Sequence, residues 1–139
     1  MSYKLHQLDF SVPSIQVFEN IKNEDWSVFL NSNSKQYPDQ RFDILSARPK
    51  KKVIFSDDHT YLINEDQQPK KSELCPFELL KKIMNEYKCN SSEDMPFSGG
   101  AIGYISYDYG NYLHNIENKN KCLKYPLFAF GIYDWAVIY

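Results

Sequence analysis

The sequence predicts an α+β fold, with mainly antiparallel sheets and flanking helices. Short runs rich in Val, Ile, Phe and Tyr recur between residues 26 and 63 and again from 101 to 139. Pro, Gly, Asn or Asp punctuates them, as it does half-buried strands. Aromatic residues make up 16% of the 139 residues, with eleven Tyr and nine Phe, which suits sheet faces where flat side chains pack across strands. The order strand, strand, hairpin, helix, strand then points to neighbours in sequence pairing in an antiparallel manner.

Taken in order, Pro13 can open a short helix, since its fixed φ suits a first helical turn and Ile15, Val17, Phe18 and Ile21 place apolar groups toward one face. Trp26 to Leu30 reads as a buried strand. The polar residues 31–40, with Pro38, read as a loop that returns into a second strand over 42–47. Val53-Ile54-Phe55 and Tyr61-Leu62-Ile63 are the arms of a hairpin, with residues 56–60 as its loop. Residues 64–72 are polar and predict a surface connection. From Pro76 to Lys88, Leu79, Leu80, Ile83, Met84 and Tyr87 recur at helical spacing with lysines on the other side, the clearest helix of the chain. A second polar stretch, 90–94, precedes a strand over 101–107 with glycines at its entrance, and Asp108 is placed to cap a short helix beginning near Tyr109. Residues 127–139 form two strand-like runs in which Gly131 marks a bulge or a close backbone approach. The last residue, Tyr139, sits inside an apolar run, so the final strand is expected to be cut short, with an open edge that favours association.

Composition excludes several function classes. With 42% apolar and 24% charged residues the chain can bury a core. A formal net charge of −2 offers no global field for nucleic acid or an anionic membrane. No apolar run reaches bilayer length and the first residues lack the order of a secretory signal, so a cytoplasmic location is expected. Cys75, Cys89 and Cys122 are odd in number, widely spaced and without a CxxC pair, which makes them reduced structural residues.

The constellations with chemical potential each have a plain reading. Ser98-Gly99-Gly100-Ala101-Ile102-Gly103 is GGxxG, not a phosphate loop, and a strand follows it, so its glycines are assigned to close backbone packing. Arg48-Pro49-Lys50-Lys51-Lys52 reads as a sheet edge protected by lysines, and Asp57-Asp58-His59 as turn chemistry instead of a metal site. His6 and His114 show no ligand spacing. No cysteine or serine sits in a nucleophile motif and no paired carboxylates appear, so no catalytic residue and no metal ligand is assigned. Ser32 differs, because it follows the first strand directly while Arg41 and Phe42 open the next. A hydroxyl, a guanidinium and an aromatic face at sheet ends suit a small amphoteric molecule with a carboxylate. The plainer alternative is a surface serine, an arginine paired with a nearby Asp, and Phe42 in the core.

Phe29-Leu30-Asn31-Ser32 with Arg41-Phe42-Asp43-Ile44, then residues 95–104 (Met-Pro-Phe-Ser-Gly-Gly-Ala-Ile-Gly-Tyr) with Tyr107-Asp108, then Gly131-Ile132-Tyr133-Asp134-Trp135-Ala136, resemble the N-terminal region of the aminodeoxychorismate synthase component I family. The sister family, anthranilate synthase component I, shares the glycine block. The first and last blocks lean to the aminodeoxychorismate side. Asn31 departs from the acidic residue of the sister family's LLES form, so feedback inhibition by tryptophan is not carried over.

The resemblance implies that residues 1–139 are an N-terminal domain truncated at its C-terminal edge, an incomplete part of the anthranilate synthase component I fold. The complete polypeptide would aminate chorismate to 4-amino-4-deoxychorismate, on the way to 4-aminobenzoate and folate, with ammonia from a glutamine amidotransferase subunit, component II. It implies Mg²⁺ and chorismate bound by a C-terminal domain beyond residue 139, no cofactor in this chain, and no turnover by it alone. It also implies a tryptophan or ligand pocket at Ser32, Arg41 and Phe42. The alternatives are a stand-alone tryptophan-binding regulatory module and the anthranilate branch.

Overall fold

The structure is a computed structural model that describes residues 4–9, 11–32, 42–87, 95–116 and 125–139. The chain divides into two compact units, one from residues 1–49, 87–100 and 133–139 and the other from residues 50–86 and 101–132.

In the first unit, Pro13 precedes helix α1, Ser14–Phe18, which buries Ser14 and Val17. The helix is shorter than predicted and passes into turns, yet Phe18 still packs its ring on Phe29, with centroids 5.2 Å apart. Strand β1, Val28–Leu30, is also shorter than its apolar run, because Trp26 takes a left-handed φ of 50° and ends the extended backbone. β1 pairs antiparallel with β2, Ile44–Ser46, which pairs antiparallel with β8, Val137–Ile138. The ladder is prolonged at Asp43 and Tyr139, which exchange both backbone hydrogen bonds at 2.9 Å. Leu45, Ala47 and Tyr133 are buried here, and the Tyr133 hydroxyl donates to the Trp26 carbonyl at 2.9 Å.

The second unit carries a five-stranded sheet in the order β5-β4-β3-β7-β6. The hairpin is there, with β3 at Lys51–Ser56 and β4 at His59–Asn64, but its loop is two residues long instead of five. Asp57 and Asp58 both have positive φ, 51° and 61°, as a tight primed turn between twisted strands demands. Part of the predicted 64–72 connection is strand β5, Lys70–Ser72, on the edge beside β4. Backbone pairing needs no apolar side chain, and Lys70 and Lys71 are the exposed edge lysines. The cluster at 48–52 is therefore not an edge: β3 lies between β4 and β7, and Lys50 and Lys51 bridge to Glu65 and Glu86, each at 2.9 Å.

Helix α2, Pro76–Glu86, forms where the periodicity places it, burying Leu79 and Ile83. Glu78 in its first turn accepts the Cys75 N–H at 3.3 Å, half of a capping box. Strand β6, Gly100–Ile105, leads to helix α3, Asp108–Leu113. Asp108 is the first residue of that helix and not its cap; its N–H donates to the Ser106 hydroxyl at 3.2 Å. A Cβ on Gly103 would stand 2.0 Å from the Ala129 carbonyl oxygen, so the close-packing role assigned to the glycine segment holds at this position. Strand β7, Phe128–Tyr133, pairs with β3 in continuous register through Gly131, which shows no bulge. Between sheet and helices, Phe55, Phe77, Tyr109 and Phe128 interlock, with Phe55 edge-on to Tyr109 at 5.4 Å and Phe77 edge-on to Phe128 at 5.1 Å.

Candidate functional site

The first unit gathers polar groups around one carboxylate. Asp43 sits one residue before β2 and is 9% exposed. Its Oδ1 accepts the Ser32 backbone N–H at 2.7 Å and the Ser32 hydroxyl at 3.0 Å. Its Oδ2 accepts Asn31 Nδ2 at 3.0 Å and the hydroxyl of Ser14, itself only 7% exposed. Local structure explains the convergence. Ser14 opens α1, Asn31 and Ser32 leave β1, and β1 and β2 pair Leu30 with Ile44, which sets the strand exit beside the carboxylate.

Burial pushes the Asp43 carboxyl up, and the hydrogen bonds from Ser14, from the Ser32 N–H and hydroxyl and from Asn31 outweigh it, holding the group below the ordinary value of 3.8. Asp43 is thus ionised at neutral pH. A carboxylate offers about four lone-pair positions, and N–H and O–H donors of this chain take them. Mg²⁺ needs oxygen ligands with lone pairs to give, so this cluster does not fit it. Among the described residues no group of three or more His, Cys, Asp or Glu side chains is placed to hold a metal ion.

Of the residues singled out from sequence, Ser32 is half-buried and bonded to Asp43, and Phe42 is 38% exposed, so it is not a core residue. Arg41 lies outside the described residues. Sequence reasoning passed over Ser14 and Asp43. The available signal was a lone carboxylate in a mainly apolar strand run, Phe42 to Ala47. Cys75 is free and exposed, while Cys89 and Cys122 lie outside the described residues. No helix among the described residues is long and apolar enough to cross a membrane.

Among the described residues, the second unit carries an open surface groove of about 400 Å³, lined by Tyr104, Ser106, Tyr125 and Pro126. Tyr104 donates its hydroxyl to the Pro126 carbonyl at 3.1 Å, and its pKa is raised, first by burial and then by Tyr125. The described lining residues present aromatic faces and the hydroxyls of Tyr104, Ser106 and Tyr125.

The three sequence blocks fall on the β1 exit and β2 entrance, on β6 and the start of α3, and on the passage from β7 to β8. Over 124 residues, 87% of this chain, it is 29% identical to "Aminodeoxychorismate synthase component 1" of Escherichia coli (strain K12), and the match covers 27% of that protein. The chain resembles component 1 of aminodeoxychorismate synthase. It is also 28% identical over 127 residues, 90% of this chain and 27% of the relative, to "Anthranilate synthase component 1" of Lactococcus lactis subsp. lactis (strain IL1403). The fold matches that of anthranilate synthase component I from Streptococcus pneumoniae TIGR4, with a TM-score of 0.59 at 20% identity, over 97% of this chain and 29% of that one. The chain therefore spans about a quarter of the length of the synthases it resembles. No family model matches it.

Proposed function

We propose that the chain is the non-catalytic N-terminal part of an aminodeoxychorismate synthase component 1. The whole enzyme converts chorismate to 4-amino-4-deoxychorismate for 4-aminobenzoate and folate synthesis, in the cytoplasm. It takes ammonia from a glutamine amidotransferase partner, and Mg²⁺ and chorismate bind in the C-terminal half. The observation that carries this reading is the similarity to that synthase along 87% of the chain, which is not confined to one motif. The commitment of Asp43 to its own chain's donors agrees with it, since a carboxylate so engaged serves as a support and not as a general base. Ser32, Arg41 and Phe42 line a pocket for tryptophan or a similar amphoteric ligand in this reading.

Purified chain supplied with chorismate, ammonia and Mg²⁺ is expected to yield no 4-amino-4-deoxychorismate by chromatography; turnover overturns the proposal. A chimera carrying this chain in place of the matching segment of the E. coli synthase is expected to restore a 4-aminobenzoate auxotroph. The likeness to anthranilate synthase component 1 supports a second reading, the anthranilate branch. Rescue of a tryptophan auxotroph by the corresponding chimera, without rescue of the 4-aminobenzoate strain, would decide for it.

A further inference from the structure

Among the described residues the five-stranded sheet ends on β5 at one side and on β6 at the other, and its two ends are built differently. β5 is three residues long, and its exposed Lys70 and Lys71 place charge where a further strand would have to lie. β6 runs for six residues, Gly100-Ala101-Ile102-Gly103-Tyr104-Ile105, without a charged side chain or a proline. Its second half is exposed, with Tyr104 at 46% and Ile105 at 47%. The hydrogen bond from the Tyr104 hydroxyl to the Pro126 carbonyl already fixes that ring, so a contact made on it costs little ordering. An edge strand carries a row of backbone N–H and C=O groups on its outer side, and the lysine protection of β5 is not repeated at β6.

A strand that pairs with such an edge needs an open side of its own, similar length and no charge to carry into the ladder. Among the described strands at the ends of the two sheets, β1 has three residues, β8 has two, and β5 has three with its lysines; β6 alone meets all three needs. A net charge of −2 leaves little repulsion between two copies.

We infer that the β6 edge is an interaction surface and that its occupant is β6 of a second copy, paired antiparallel across a two-fold axis perpendicular to the sheet. Neighbouring residues of a strand point to opposite faces, so Tyr104 and Ile105 give the contact an apolar side chain on each face. The joined sheet ends on β5 at both sides, where Lys70 and Lys71 stop further growth, and the assembly closes as a dimer. The inference is independent of the proposed activity.

Sedimentation equilibrium of the full chain, up to about 100 μM as suits a small interface, is expected to show twice the chain mass at the upper end. Hydrogen exchange read by mass spectrometry is expected to show amide protection over residues 100–105 that rises with concentration, and no such rise over 70–72. Ile105→Lys brings like charge to both sides of the axis and is expected to weaken the dimer about tenfold or more, whereas Ile105→Val keeps it. Where a thermal melt shows Ile105→Lys to be unfolded, the exchange measurement on wild-type chain carries the test. A monomer throughout, growth past the dimer, a folded Ile105→Lys chain that dimerises as before, or concentration-dependent protection at β8 in place of β6 overturns the inference. Protection over 100–105 that appears only when the C-terminal portion of the E. coli synthase is added assigns the edge to that portion and overturns it as well.

Discussion

Two buried centres, one in each compact unit, hold this chain with opposite materials. Around Asp43, two hydroxyls, an amide and a backbone N–H converge on one ionised carboxylate. Around Phe128, which is fully buried, Phe77, Tyr109 and Phe130 meet through ring faces and edges at centroid distances of 5.1, 6.0 and 4.7 Å. The polar centre is directional: each donor has one acceptor position, and losing the charge affects every partner at once. The aromatic centre is not directional, and its stabilisation follows the apolar area removed from water. The contrast teaches where to look for recognition. Fixed donor and acceptor directions can distinguish ligands, whereas packed rings mainly hold strands and helices together.

The contrast breaks most visibly at Phe128. Phe128→Ala removes a fully buried ring and is expected to cost about 3–5 kcal/mol by urea denaturation, with little dependence on pH. A loss below about 1 kcal/mol would mean that the neighbouring rings collapse into the gap.

Asp43→Asn is expected to cost about 2 kcal/mol at neutral pH, because the amide turns a donor toward groups that are themselves donors. Its pH signature sharpens the comparison. The folded Asp43 pKa lies below the ordinary 3.8, so the unfolded chain binds more protons in this range. Stability from this group is complete above about 3.8 and is lost as pH falls through the lower folded value. Wild-type and Asp43→Asn denaturation curves are thus expected to converge in acid, while wild-type and Phe128→Ala curves stay separated. Parallel curves for the Asp43 pair down to the acid limit would show that the charge does not matter.

Tyr133→Phe removes the hydrogen bond to the Trp26 carbonyl, and a loss of about 1 kcal/mol is expected. Burial, with a smaller contribution from Asp25, pushes the Tyr133 phenol up from 10.0 to about 12. Its contribution is therefore whole below pH 10 and lost as pH rises toward 12. Alkaline denaturation of the Phe variant is expected to lack this slope.

The smallest effect has the opposite sign. Asp58→Gly relieves a positive φ of 61° in the hairpin turn and is expected to stabilise by about 0.5 kcal/mol, visible as a small rise in melting temperature.

Much of the fold was legible because its signals are local. The spacing of Leu79 and Ile83 places α2, and the paired apolar runs with Asp57-Asp58 between them place the hairpin. The glycine at 103 announced a close backbone approach, and the Ala129 carbonyl makes it. Strand β5 escaped because Lys70, Lys71 and Ser72 carry no apolar pattern, and pairing with β4 supplies their order. The basic run misled in the same way: a lysine reads as an edge residue until the strands on both of its sides are known. At the candidate site, Ser32 was legible from its place after a strand. Asp43 and Ser14 were not, since 29 residues separate them and no spacing rule connects a helix's first residue with a strand's entrance.

By itself the sequence determined the types of most elements, β5 excepted, the antiparallel α+β character and the likeness to the chorismate-utilising synthases, because periodicity, turn residues and motif blocks are properties of neighbours along the chain. Tertiary structure alone decided the division into two units, the sheet order β5-β4-β3-β7-β6 and the four donors closing on Asp43. Those depend on which distant backbones pair, and a side chain's hydrogen-bond partners become fixed only once that pairing has brought them within 3 Å of one another.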